Sequence, residues 1–306
     1  MTGSNSRAFG ELPGVERVVT HGLPSVRVAS AHATGLVFLQ GAHIAQWSPS
    51  GRDPVIWMSQ KAVYQRGKAL RGGIPICFPW FGAHAQDRDF PQHGFARTRD
   101  FEYHGARLDD AGQPELELSL TSDEATHAFF PHAFEARLRI TFGDVLALAF
   151  SVTNLGTVPF DFEEALHSYF HVADVRQVAV LGLQGATYRD KVQGMAELIE
   201  RAAQLQLSSE TDRVYASSAA CTILDPLGQR SIHIEKSSSD ATVVWNPWSE
   251  RAAQMPDFGA DAWPGMLCVE SANVGSSRVS LAPGDTHTLR VSVSVGTASP
   301  VTRENP

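Results

Sequence analysis

The chain is poor in cysteine: Cys77, Cys221 and Cys268 are the only three among 306 residues, far apart and odd in number. That excludes a disulfide framework, and the lack of any CxxC pair excludes a thiolate zinc site. A reducing compartment is implied, and a cytoplasmic location is expected. Long apolar runs are also missing. No stretch approaches the roughly 18 uninterrupted apolar residues of a membrane helix, and the opening MTGSNSRAFGELPG has no apolar signal core. Positive charge is scarce, with 25 Lys and Arg against 33 Asp and Glu and a formal net charge of -8. This argues against a sequence-independent grip on nucleic acid or an anionic membrane, so an anionic ligand must meet a local arginine cluster. Proline- or serine-rich linkers, low-complexity tracts and fixed-period repeats do not occur. Residues 1–306 are therefore expected to form one domain, with 297–306 as a polar tail.

What the chain has in quantity is alternation with period two, apolar side chains facing one way and polar ones the other, as a half-buried strand requires. In 288–296, Leu289, Val291, Val293 and Val295 alternate with Arg290, Ser292 and Ser294, directly after the turn residues Ala282-Pro283-Gly284-Asp285. Residues 136–142 and 145–153 repeat the pattern on either side of Gly143-Asp144 and predict a hairpin. Further strands are expected at 25–29, 35–39, 116–120, 177–181, 217–224, 231–235, 242–246, 267–271 and 278–281. Helix signals are few: 121–123 caps a turn over 124–129, and 196–204 has helix-forming composition. Strands without alternating helices predict an all-β fold, a large antiparallel sandwich rather than a parallel α/β sheet.

Three segments carry residues able to do chemistry. The first is RGGIPICFPWFG at 71–82, followed by PQHGFAR at 91–97. Its glycines permit close backbone approach and its prolines fix the loop's shape. Arg71 and Arg97 bracket aromatics, Gln92 and His93, a set suited to a polar ring bearing a negative group, because a guanidinium fork meets two phosphate oxygens at once. The same residues would equally make a rigid connection with its Phe and Trp in the core. The second segment is 161–171, where His167 and His171 lie four apart. On a helix that spacing would offer two metal ligands, but on a strand the two stand too far apart to chelate one ion, so no metal is expected. A histidine here is either structural or a proton carrier near neutral pH. The third segment is 267–273, where Glu270 follows Leu267, Cys268 and Val269. A carboxylate on a core strand is costly unless it has donors or a role, whereas at a strand end it is merely exposed. The cluster 211–215 and the pair Trp245 and Trp248 are weaker signals that salt bridging and packing would also explain.

In this order, RGGIPICFPWFG, PQHGFAR, EEALHSYFHVAD at 163–174, ETDRVY at 210–215, WNPW at 245–248 and CVESAN at 268–273 resemble the aldose 1-epimerase superfamily. They are most similar to its hexose-6-phosphate mutarotase (glucose-6-phosphate 1-epimerase) branch. The resemblance implies a large antiparallel β-sandwich of the galactose-mutarotase (supersandwich) type, with no cofactor and no metal. It implies that His167 and Glu270 are catalytic, that Arg71, Gln92, Arg97 and Asp212 contact substrate, and that His93 contacts the sugar. Trp80 stands where many relatives carry a smaller or polar residue.

The implied activity is interconversion of the α and β anomers of a hexose 6-phosphate, with D-glucose 6-phosphate expected first. A monomer with no nucleic-acid or membrane partner is expected. Anomer exchange removes the proton of the C1 hydroxyl while the ring oxygen is protonated, and Glu270 as base with His167 as acid would divide these roles near neutral pH. Two other readings stay open. A mutarotase for unphosphorylated aldoses needs no arginine pair, and a noncatalytic carbohydrate-binding protein needs no matched acid and base. A glycosidase fits less well, because that chemistry usually needs two carboxylates across the bond and only Glu270 is placed for it.

Overall fold

Residues 8–297 are described by the computed structural model, and positions 298–306 of the expected tail lie outside them. The alternating segments assemble an eight-stranded sheet. Its spatial order is Ala179–Leu181, Cys221–Asp225, Arg230–Ser237, Thr286–Thr297, Val145–Asn154, Phe134–Phe142, Pro114–Thr121 and Glu102–Leu108, all antiparallel. The expected hairpin is present, with Phe142 opposite Leu146 and Phe134 opposite Asn154. Along it Phe134, Ala136, Leu138, Ile140 and Phe142 are buried, while Arg137 and Arg139 reach across the outer face to Glu117.

A second eight-stranded sheet carries Ala196–Ile199, Thr187–Asp190, Thr211–Ala216, Ala241–Asn246, Met266–Asn273, Glu164–Leu166 and Ile76–Cys77 in that order. Tyr169–His171 also pairs with Met266–Asn273. A four-stranded sheet of Val15–Thr20, Leu23–Ala29, Ala33–Phe38 and His43–Pro49 and a short pair, Phe160–Phe162 with Val279–Leu281, complete the pairing. One hydrophobic cluster joins the sheets, reaching from Val26 to Val293. The all-β antiparallel architecture expected from the sequence is therefore the one observed.

Phe78 ties the 71–82 loop into this core. Its ring meets Phe95, Phe130, Phe134, Phe150 and Phe162 edge-on at centroid distances of 5.1–6.2 Å. Edge contacts of this kind add about 0.5–1.5 kcal/mol each beyond simple burial, so the loop is held rigidly where it leaves the core.

Several local expectations are corrected. Residues 196–204 form no helix: Ala196–Ile199 is a strand, paired with Thr187–Asp190 in the register Asp190 to Ala196. The turn that precedes it carries Gly194 and Met195 at positive φ, and the Asp190 carboxylate accepts from the Gln193 amide, so turn chemistry and pairing override the helix-forming composition. The strand expected at 217–224 starts only at Cys221, and that expected at 177–181 begins as a 3-10 turn over Val175–Gln177. The helix at 124–129 is present but shorter, Glu124–His127, capped by a reciprocal Asp123 and Thr126 box. A second helix, Trp248–Ala253, was not expected.

Candidate active site

Strand register builds the floor of the site. Cross-strand partners place Asp212, Trp245, Cys268 and Tyr169 in one row on one face of the second sheet. Glu270 lies two residues beyond Cys268 and so on the same face, while Leu267 and Val269 point into the main core. Glu270 is therefore not at an exposed strand end: it is 1% exposed. His167 sits in the break between Glu164–Leu166 and Tyr169–His171, where its backbone N–H donates to the Pro75 carbonyl at 3.0 Å. Its ring stacks on Tyr169 at 4.8 Å and meets His93 and Trp245 edge-on at 5.7 and 6.2 Å. This cage brings His167 Nε2 to 3.4 Å from Glu270 Oε1. His171 turns elsewhere and meets Arg230, so the two histidines do not converge.

The glycine-rich loop supplies the rim. Gly72 and Gly73 both have positive φ, and a Cβ on Gly73 would stand 2.1 Å from His43 Nε2, so no other residue fits beneath the loop. Arg71, just before them, donates from Nε to Asp257 and from Nη1 to the Tyr169 hydroxyl, each at 3.2 Å. The second half of the loop is tied to the first: His93 N–H donates to the Gly82 carbonyl at 2.6 Å, and Gly82 N–H donates to His93 Nδ1 at 3.3 Å. With Nδ1 accepting, a neutral His93 carries its proton on Nε2 as a donor. The Glu163 carboxylate clamps the outside of this loop by accepting from the Phe81 and Gly275 amides. Trp80 is buried, its indole N–H donating to the Pro91 carbonyl at 2.9 Å, and does not line the cavity.

Arg71, Gln92, His93, His167, Asp212 and Glu270 all line one polar cavity of about 540 Å³. Arg97 stands behind that wall, donating from Nη2 to the Gln92 carbonyl at 2.6 Å. Three further wall residues escaped the sequence reading. Lys191 bonds Asp212 at 3.1 Å and covers the Phe81 ring, Tyr169 bridges Arg71 and His167, and Arg251 projects from the unexpected helix. Lys191 lies in the turn that follows Thr187–Asp190, where the sequence reading saw no strand; only a strand assignment there would have pointed to it.

Burial dominates the electrostatics. It pushes the Glu270 carboxyl well above its usual range, an effect that Lys191 opposes and Asp212 reinforces. It pushes His167 well below its usual value, with Arg97 and Arg71 adding to the effect. The protein's own charges therefore favour an uncharged pair that holds one proton between its two members. Among the described residues, His167, Cys268 and Glu270 offer donor atoms within 4.8 Å of one another, the one such group. Burial holds the Cys268 thiol in its protonated form.

Comparisons with known proteins bear on the family and the fold. Residues 25–294 match the family described as "Aldose 1-epimerase". A protein of Cenchrus ciliaris named "Putative glucose-6-phosphate 1-epimerase" is 33% identical over 290 residues, covering 92% of this chain and 85% of its own. A protein of the same name from Salmonella typhimurium is 36% identical over 234 residues, 76% of this chain and 77% of its own. A crystal structure of "a putative mutarotase" from Salmonella typhimurium aligns with a TM-score of 0.87 at 30% identity, covering 94% of this chain and 96% of that one. A galactose mutarotase-like protein from Lactobacillus casei shares the fold, with a TM-score of 0.70 at 18% identity over 89% of this chain and all of its own. With the family model covering nearly the whole chain, and relatives above 30% identity spanning most of it, the chain belongs to the aldose 1-epimerase family.

Proposed function

We propose that the protein interconverts the α and β anomers of a hexose 6-phosphate, with D-glucose 6-phosphate as the first candidate, using Glu270 as base and His167 as acid. The observation that carries this reading is the 3.4 Å contact between His167 Nε2 and Glu270 Oε1 in the wall of a polar, sugar-sized cavity. In the forward step the O1–H proton passes to the Glu270 carboxylate and the O1 electron pair forms the C1=O1 bond. The C1–O5 bond breaks toward O5, which takes the proton of His167. After rotation about C1–C2 the same steps run backward and close the ring on the other face. Asp212 accepts from ring hydroxyls, Gln92 and His93 donate to them, Arg71 receives the phosphate, and Arg97 supports the wall from behind through the Gln92 carbonyl. The names borne by the relatives support the phosphorylated substrate.

A second reading, a mutarotase for unphosphorylated aldoses, is favoured by one observation: Arg71 is already engaged by Asp257 and Tyr169, and Arg97 by the Gln92 carbonyl. Alanine at Arg71 decides between them. The phosphorylated reading expects KM for glucose 6-phosphate to rise at least about tenfold, the loss of one charge-assisted contact of about 1.5–3 kcal/mol, with no comparable rise in KM for free glucose. Equal behaviour of both sugars in wild type and variant would favour the second reading. We further propose that the chain works as one domain and as a monomer in the cytoplasm. Three unpaired, buried cysteines support that compartment, and no helix among the described residues is long and apolar enough to cross a membrane.

A further inference from the structure

The floor of the cavity carries a third group that anomer exchange does not use. Cys268 precedes Glu270 by two residues on Met266–Asn273, on the same face, and is fully buried. Its sulfur, a His167 ring nitrogen and a Glu270 carboxylate oxygen all lie within 4.8 Å of one another. Imidazole, thiolate and carboxylate are the donor types that zinc takes, and three protein ligands with an open fourth position are the pattern of its catalytic sites.

The distances fit a tetrahedral ion. Bonds of about 2.0–2.1 Å to nitrogen and oxygen set those two atoms roughly 3.3–3.4 Å apart. His167 Nε2 and Glu270 Oε1 stand 3.4 Å apart. A bond of about 2.3 Å to sulfur calls for roughly 3.6 Å from the thiol to each of the others, so a shift on the order of 1 Å, within the range of a side-chain torsion, completes the set. Glu270 Oε2 is buried with no hydrogen-bond partner among the described residues, which leaves it free to turn toward an ion. His167 and Glu270 line the cavity of about 540 Å³, which gives a hydrated cation its way in, and Glu210 and Glu250 belong to the same lining. Arg71 and Lys191 each bond a carboxylate of their own, Asp257 and Asp212. One thiolate, one carboxylate and one neutral imidazole cancel both charges of a divalent cation, so the filled site adds no net charge to a buried setting.

We propose that His167, Cys268 and Glu270 bind Zn²⁺ in place of their protons, so that the ion occupies the acid and the base together and shuts the site off. The thiol proton and the proton shared by the pair pass to solvent as the bonds to the metal form, and no electron changes hands. Binding rests on the geometry alone, whereas the shut-off rests on the acid–base reading above.

The test uses the full-length protein and Co²⁺, a coloured ion that takes zinc's ligands and geometry. Titration should give a saturable, one-to-one absorption that includes a thiolate-to-metal charge-transfer band and is removed by Zn²⁺. The band should be absent from Cys268→Ser and Cys268→Ala and kept by Cys221→Ser, whose thiol lies in the other large sheet. In exchange NMR of glucose 6-phosphate, Zn²⁺ should inhibit, and the free concentration that halves the rate should rise at least about tenfold in a Cys268 variant whose circular dichroism matches wild type, since loss of even an outer-shell partner costs about 10–100-fold in metal affinity. Wild-type protein that takes up no Co²⁺ or shows no thiolate band, or a band that survives in both Cys268 variants, overturns the proposal. An ion that binds with the band and leaves exchange untouched keeps the metal site and overturns the acid–base reading, and the shut-off with it.

Discussion

Replacing Glu270 by glutamine removes the proposed base while keeping the shape of the side chain. Loss of a positioned general base costs about 10²–10⁴-fold in rate, equivalent to about 3–5 kcal/mol of transition-state stabilisation. The fold should pay little. Glu270 Oε2 is already buried without a hydrogen-bond partner, and glutamine can turn its N–H₂ toward the Oε1 position, where it donates to His167 Nε2, leaving its carbonyl as the same orphan acceptor. The pH dependence has a definite sign. Burial raises the proton affinity of Glu270 in the folded state, so ionising it costs stability as pH rises above about 4.5. Glutamine removes that cost, and its stability relative to wild type should improve from pH 4 to pH 8. Thermal unfolding across that range, beside anomer-exchange NMR, measures both effects. A variant that keeps more than about a tenth of the wild-type rate refutes Glu270 as the base; one that unfolds about 10 °C lower shows a structural role instead.

Other perturbations probe neighbouring parts of the account. Because His167 is pressed below its usual value of 6.5 and Glu270 above its own, the one-proton pair should persist across neutrality. The kcat/KM profile is then flat over about pH 6–8, and a rate that halves near pH 6.5 contradicts this. Lys191→Met leaves Asp212 without its cation and strengthens the hold of Glu270 on its proton; exchange should slow by roughly tenfold per unit of added proton affinity, and an unchanged rate contradicts the role given to Lys191. Gly94→Ala puts a Cβ 1.9 Å from the Phe78 carbonyl oxygen at φ 73°, and should lower stability by about 1–3 kcal/mol and weaken activity through the 91–97 loop. An unaltered melting temperature would show that the loop yields easily.

Long, evenly alternating strands were legible in the sequence, because burial on one face leaves a period that composition cannot hide. Thr286–Thr297 and the hairpin of Phe134–Phe142 with Val145–Asn154 are the clearest cases. The short strands that build the site were not: Glu164–Leu166, Tyr169–His171 and Ile76–Cys77 have three residues or fewer, too few to show a period, and exist because Met266–Asn273 and its neighbours give them partners. Ala196–Ile199 was misread because propensity is a weak prior that tertiary pairing overrides. Motif resemblance singled out His167, Glu270, Arg71, Gln92, His93 and Asp212, which the fold gathers at one cavity. It could not show that Arg97 stands behind the wall, or that Tyr169 links an arginine to the acid, because both depend on side-chain packing across distant loops.

The central claim is an acid–base pair acting on a phosphorylated hexose, and exchange NMR of the two anomers of glucose 6-phosphate tests it most directly. Wild-type protein and His167→Asn are compared at neutral pH with free glucose and galactose alongside. The account predicts rapid exchange of the phosphorylated sugar by wild type and a loss of about 10²-fold or more in the variant, whose fold is unchanged. Equal exchange by both proteins, or acceleration of the free sugars alone, would contradict it.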